Sequence, residues 1–119
     1  MSSESLAESA GGVLAAWETQ GQVYYTRIDP RSSARSRPIP APGKAENRKH
    51  PSVAANDLGT VIVVWTEGTG WQKGGSLAWQ VFDHSGQPTG ERGRIEGGIP
   101  VWSLAAAVPR PDGGFTIVY

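Results

Sequence analysis

The side chains best suited to recognition chemistry in this sequence are aromatic. Five tryptophans stand among 119 residues, and an indole outside a core can stack on a sugar ring or anchor an interface. Trp71 and Trp102 are the candidates of that kind. Trp71 ends the Gly-rich stretch Gly68-Thr-Gly-Trp71, and Trp102 lies just before a small-residue apolar run. Arg48 and His50, at the end of a basic stretch, complete the candidate ligand-binding set. Other chemistry finds little support. The two histidines, His50 and His84, are far apart and there is no cysteine, so no metal site, disulfide or thiolate nucleophile is expected. Gly68–Trp71 lacks the following Lys-Ser/Thr and helix of a phosphate loop, and no nucleophile elbow is present. No cofactor is expected and no catalytic residue can be assigned.

Charge narrows the partners. Eleven Lys and Arg balance eleven Asp and Glu, which disfavours a nucleic-acid or membrane-surface binder driven by bulk charge. The balance is uneven along the chain. Residues 1–26 hold Glu4, Glu8 and Glu18 and no cation, whereas residues 27–50 carry five arginines and two lysines against Asp29 and Glu46. That basic stretch overlaps the Ser/Arg/Pro segment from Pro30 to Gly43 and reads as a solvated loop or edge strand, with a local anion-binding surface as the alternative. No aromatics interleave with these charges, which weakens a nucleic-acid reading further. No apolar run is long enough to span a bilayer, and no secretion signal is visible.

These residues must be positioned by an internal repeat. Pro51-Ser-Val-Ala-Ala-Asn-Asp-Leu-Gly-Thr-Val-Ile-Val-Val-Trp65 is echoed by Ser5–Trp17 before it and Ser103–Tyr119 after it. Each segment has a small apolar strand, a Gly turn, a second apolar strand and a terminal aromatic, so Trp17, Trp65 and Tyr119 take the same place. Gly21–Asp29 then aligns without gaps on Gly75–Asp83, with Tyr25 on Trp79. Between Trp65 and Gly75 the second copy carries an insertion that holds Trp71 and Lys73. Each copy continues into a Gly/Pro-rich turn and a short apolar piece near Ile39 or Ile95.

The local chemistry is that of strands. Val61 to Val64 are β-branched without interruption, as a strand buried on both faces requires. Leu77, Trp79 and Val81 alternate with Ala78, Gln80 and Phe82, a period of two. Asp57-Leu-Gly59, Asp83-His-Ser-Gly86 and Asp112-Gly-Gly114 are turn sequences, and Pro51 and Pro100 are expected to precede strands. No helix is expected beyond fraying at residues 2–10. Four-strand units recurring at roughly 50 residues suggest a β-propeller. The expected fold is all-β and propeller-like, with about two and a half four-stranded blades and repeat units near 1–46, 47–98 and 99–119. Closure takes at least about four blades, so this domain would close only by oligomerisation or as part of a longer chain.

At Pro51-x-Val-Ala…Gly59-x-Val-x-Val-Val-Trp65 and Gln80-x-Phe-Asp83-x-x-Gly86-x-x-x-Gly90 the sequence resembles the repeats (BNR, or Asp-box, type) of bacterial sialidase-like β-propellers. Asp112-Gly-Gly-Phe-Thr116 matches the Asp-x-Gly-x-Thr part of the box, with Arg110 in place of its leading Ser/Thr and Ile117 in place of its Trp. The resemblance implies that Val61–Trp65 and Phe115–Tyr119 are outer strands, that the chain is a C-terminal propeller portion, and that it works outside the cytoplasm. It implies no catalytic role for the box, which stabilises a turn. Sialidase chemistry would need an arginine cluster, a Tyr nucleophile paired with a Glu, and an acid/base Asp. The residue types exist here, but Tyr24 and Tyr25 are adjacent and must face opposite sides of a strand.

The expectation is therefore a non-catalytic propeller module for self-assembly or ligand display. Its partners would be further copies or the remaining blades of a longer propeller. A sialidase-like glycoside hydrolase fragment and a lectin-like carbohydrate binder are the alternatives.

Overall fold

A computed structural model describes residues 4–119. They form ten strands: β1 (Glu4–Ser9), β2 (Gly12–Thr19), β3 (Gln22–Ile28), β4 (Ile39–Pro40), β5 (Arg48–Ala55), β6 (Val61–Glu67), β7 (Gly75–Phe82), β8 (Pro88–Ile99), β9 (Ala106–Pro109) and β10 (Phe115–Val118). The strands make three antiparallel sheets, in the orders β1-β2-β3-β4, β5-β6-β7-β8 and β9-β10. The described residues contain no helix, and the sheets do not close into a barrel or a ring. Residues 2 and 3 of the segment expected to fray as helix lie outside the described residues. Positions 4–9 are β1, because Ser5 to Ser9 find ladder partners in β2.

Burial explains the stacking. In β6 every residue from Val61 to Thr66 is buried, so the strand must be covered on both faces. Val61, Val63 and Trp65 join Val53, Ala78 and Phe82 against Leu14, Ala16, Val23 and Tyr25 of the first sheet. Ile62 and Val64 face the other way and pack with Leu77, Val81 and Ile99 beneath Ala107, Phe115 and Ile117 of the hairpin. The second sheet is thus the middle of three layers. The sheets touch chiefly through their leading strands: β1 and β2 lie on β5, and β5 lies on β9.

The first two sheets pair their strands in matching registers. Trp17 lies opposite Tyr24, and Trp65 opposite Ala78, at equivalent rungs. Leu6 lies opposite Ala15, as Val53 lies opposite Val63. The steps between sheets repeat as well. Ser5 Oγ accepts the Val53 N–H at 3.2 Å, and Ser52 Oγ accepts the Ala107 N–H at 3.1 Å. At the turns, an Arg27 guanidinium N–H donates to the Gly59 carbonyl at 3.0 Å, and the Asn56 amide donates to the Gly113 carbonyl at 2.9 Å.

That last pair joins two equivalent turns. Asn56 and Arg110 each donate across their turn, to Thr60 and Gly114, and Gly59 and Gly113 take φ of 82° and 91°. Gly113 is therefore the counterpart of Gly59, in keeping with the shared place of Trp65 and Tyr119. Positive φ fixes the frame, and the aspartates fall one place apart. The strand labels drawn from the Asp-box change. β6 lies between β5 and β7, so Val61–Trp65 is a second strand and not an outer one. Asp112 sits in the β9–β10 turn, and these two strands form a hairpin alone. Neither proline precedes a strand. Pro51 lies inside β5, where the register shifts between Lys49 and Ser52, a bulge that tolerates a residue without an N–H. Pro100 follows β8 and opens a turn.

Candidate functional site

In a meander the connections from second to third strand and from fourth strand to the next sheet emerge at one end. Trp71, between β6 and β7, and Trp102, between β8 and β9, therefore meet despite their separation in sequence. Their ring centroids are 5.0 Å apart with the planes at 85°, an edge-to-face pair. Both remain largely in solvent, at 80% and 70% exposure. An indole left in water forgoes on the order of 3 kcal/mol of burial free energy, so this pair is not explained by core packing.

Both rings are presented by tight turns. The Lys73 N–H donates to the Gly70 carbonyl at 3.1 Å, with Trp71 and Gln72 between them. The Ser103 N–H donates to the Pro100 carbonyl at 3.1 Å, with Val101 and Trp102 between them. Gln72 has φ of 51° and Trp102 has φ of 64°, at turn positions where glycine is the usual occupant. The first sheet has the plain version of the same connection: Gln20-Gly21 join β2 to β3 directly, and residues 68–75 stand in their place in the middle sheet. Gly74 holds the two loops together. A Cβ there would collide with the Ile99 carbonyl and lie 3.2 Å from Pro100 C and 3.3 Å from Val101 N.

The two Trp loops border a cleft of about 570 Å³, completed by Lys49, His50, Lys73, Leu104 and neighbouring backbone. Of the four candidate residues, Trp71, Trp102 and His50 thus share one site. His50 enters it at the β5 bulge with φ of 52°. Arg48 does not join them. It is 4% exposed and turned between the first and second sheets. Its Nη1 donates to Gln22 Oε1 at 2.9 Å and to the Ala41 carbonyl at 3.0 Å, and its Nη2 donates to the Pro42 carbonyl at 2.7 Å. The guanidinium lies 5.1 Å from the centre of the Trp65 ring. Alternation along β5 sends Arg48 and the adjacent Lys49 to opposite sides, and the bulge beyond Lys49 brings His50 to the cleft as well.

Glu67 closes that buried knot, and nothing local in the sequence marks it out. Its carboxylate accepts from Arg94 Nε at 2.8 Å and Trp65 Nε1 at 2.9 Å, and Arg48 Nε is 3.3 Å away. Burial alone would raise its pKa. The Arg94 and Trp65 hydrogen bonds and the two guanidinium charges outweigh burial and hold it below the ordinary glutamate range. A carboxylate so held stays ionised, which suits a strut and not a general acid.

The other residues that glycosidase chemistry would use are dispersed. Tyr25 is 1% exposed and packs on Phe82 at 4.9 Å, while Tyr24 stacks on Trp17 at 5.8 Å on the opposite face. Burial, modulated by Arg27 and Asp83, pushes the Tyr25 hydroxyl up to about 12. Asp29, Asp83 and Asp112 each accept a backbone N–H two residues on, at 2.9 Å, as turn residues do. The Pro30–Gly43 segment runs as a largely exposed loop that includes the short β4. No family model, no curated protein and no solved structure matches the chain.

Proposed function

We propose that the chain is a non-catalytic β-propeller module whose sheets are successive blades, stacking head to tail with further copies or blades and displaying a ligand site at one end. One observation carries this reading. The face with which the middle sheet packs on the first is present again, uncovered, on the first. Val53, Val61, Val63, Trp65 and Ala78 correspond in register to Leu6, Val13, Ala15, Trp17 and Tyr24. The middle-sheet residues are buried against the first sheet. Their first-sheet counterparts point away from that contact, with Leu6 71% exposed. At the far side of the stack, Val108 and Val118 of the hairpin are about half exposed. A leading face at one end and a trailing face at the other make a heterologous, head-to-tail surface. Contact through the leading strands β1, β5 and β9 supports a radial arrangement about a common axis.

The test is the mass in solution, by light scattering across a concentration series. The expected result is a self-associated state. Leu6→Glu with Ala15→Glu, both on the uncovered face, should return it to a monomer with an unchanged β spectrum. A wild-type monomer at every concentration up to about 1 mM would refute the stacking, since an apolar face of this kind should associate more tightly than that.

A further inference from the structure

We infer that the Trp71–Trp102 cleft binds a six-membered ring that bears a carboxylate, the chemistry shared by hexuronic acids and aromatic carboxylates. The cleft is complete within one chain, so the inference stands apart from the stacking proposed above.

Three properties of the cleft select this ligand. The first is shape. Two indoles at 85° form a corner, and a flat ring can lie on the face of one while its rim meets the other. A cleft of about 570 Å³ is sized for one or two rings. Leu104, 59% exposed, extends the apolar wall.

The next is charge. Lys49 and Lys73 line the cleft with His50, and no carboxylate does. Neither lysine takes part in an ion pair among the described residues; the cations so paired are Lys44, Arg48, Arg94 and Arg110. Two lysines bordering an apolar corner, with no carboxylate in its lining, complement a ligand that carries its own anion. Ammonium groups are point charges that need no planar bidentate partner, so a single carboxylate suffices.

The third is preorganisation. Residues in the left-handed region include His50 and Trp102 of the lining and Gln72 in the Trp71 turn, and both Trp turns are closed by hydrogen bonds. Non-glycine residues in that region carry a conformational penalty that surrounding structure must hold. Here what the backbone holds in place is a pair of rings in water. Binding then costs little loop ordering, and a dissociation constant of about 10 µM to 1 mM is expected for so open a site.

The experiment follows the five indole N–H resonances of the ¹⁵N-labelled protein during titration with glucuronate or benzoate, each against a neutral counterpart, glucose or benzamide. Expected are shifts confined to the Trp71 and Trp102 signals, assigned by Trp71→Phe and Trp102→Phe. At least one anion should bind about tenfold more tightly than its neutral counterpart, and which one identifies the source of the ring. Lys49→Gln with Lys73→Gln should abolish that preference while leaving the remaining three indole signals in place. The inference is overturned if neither anion moves the two signals by 10 mM, or if neutral rings bind as well as charged ones. It is also overturned if Trp71→Ala or Trp102→Ala dissociates a self-associated protein, because the cleft would then be an interface between copies. Dissociation by the Leu6 and Ala15 substitutions alone leaves it standing.

Discussion

Replacing Arg48 with Met removes a guanidinium from the middle of the molecule while keeping an apolar stem near the Trp65 ring. The Pro42 carbonyl loses its donor, Gln22 Oε1 and the Ala41 carbonyl are left with one donor each (the Val23 N–H and Gln22 Nε2), and Glu67 loses one of its two arginines. A buried acceptor left unpaired costs about 1–3 kcal/mol, and removing one partner of a buried ion pair costs about 3–5 kcal/mol. These penalties overlap, since one side chain supplies every bond, and Glu67 keeps Arg94 and Trp65. The expected loss is therefore about 3–4 kcal/mol, a large fraction of the 5–15 kcal/mol or so that stabilises a typical domain. Urea denaturation followed by far-UV circular dichroism measures it, with the slope against urea unchanged. Glu67→Gln and the double variant complete a cycle, in which a coupling energy of about 1–2 kcal/mol is expected. A pH series checks the same knot. Because the folded state holds the Glu67 pKa below its ordinary 4.5, its charge contributes fully above the unfolded-state value. That contribution is lost as pH falls through the lower folded value. Stability of the wild type should drop more steeply than that of Glu67→Gln below about pH 4.5. A loss under about 1 kcal/mol for Arg48→Met, typical of a surface pair, together with parallel acid curves, would refute the account.

Two further outcomes are expected. The Tyr25 hydroxyl is buried without a hydrogen-bond partner among the described residues, so Tyr25→Phe should leave thermal stability equal or raise it by about 1 kcal/mol; a clear loss would mean the hydroxyl is paired. Asn56 accepts the Leu58 and Thr60 N–H groups at 3.0 Å and donates to Gly113. Asn56→Ala should cost about 1–2 kcal/mol and speed amide exchange in β9 and β10 more than in β2 and β3.

Much of the architecture was legible because its determinants are local. The unbroken Val61–Val64 run announced a strand covered on both sides, and the gapless match of Gly21–Asp29 to Gly75–Asp83 carried β3 and β7 into equivalent registers. The Pro51 bulge was missed because Lys49 and Ser52 keep their ladder partners around it. The cleft was half legible. Loop placement singled out Trp71 and Trp102, but their meeting depends on both connections leaving the sheet at the same end. Arg48 was misplaced for the opposite reason. Its partners Gln22 and Glu67 are distant along the chain, and a basic neighbourhood gives no sign that one of its members is buried.

Strand β6 has a consequence for the life of the chain. A run such as Val-Ile-Val-Val-Trp, free of charge and proline, is the kind of segment that seeds fibrils when exposed. It is safe only while both outer layers are in place, so cleavage between the layers would uncover an adhesive ribbon and not release a soluble sheet. The three-layer stack therefore shields this strand as well as positioning the cleft. Its integrity also preserves solubility, guarded at the strand's exit by Glu67 and the arginines that hold it.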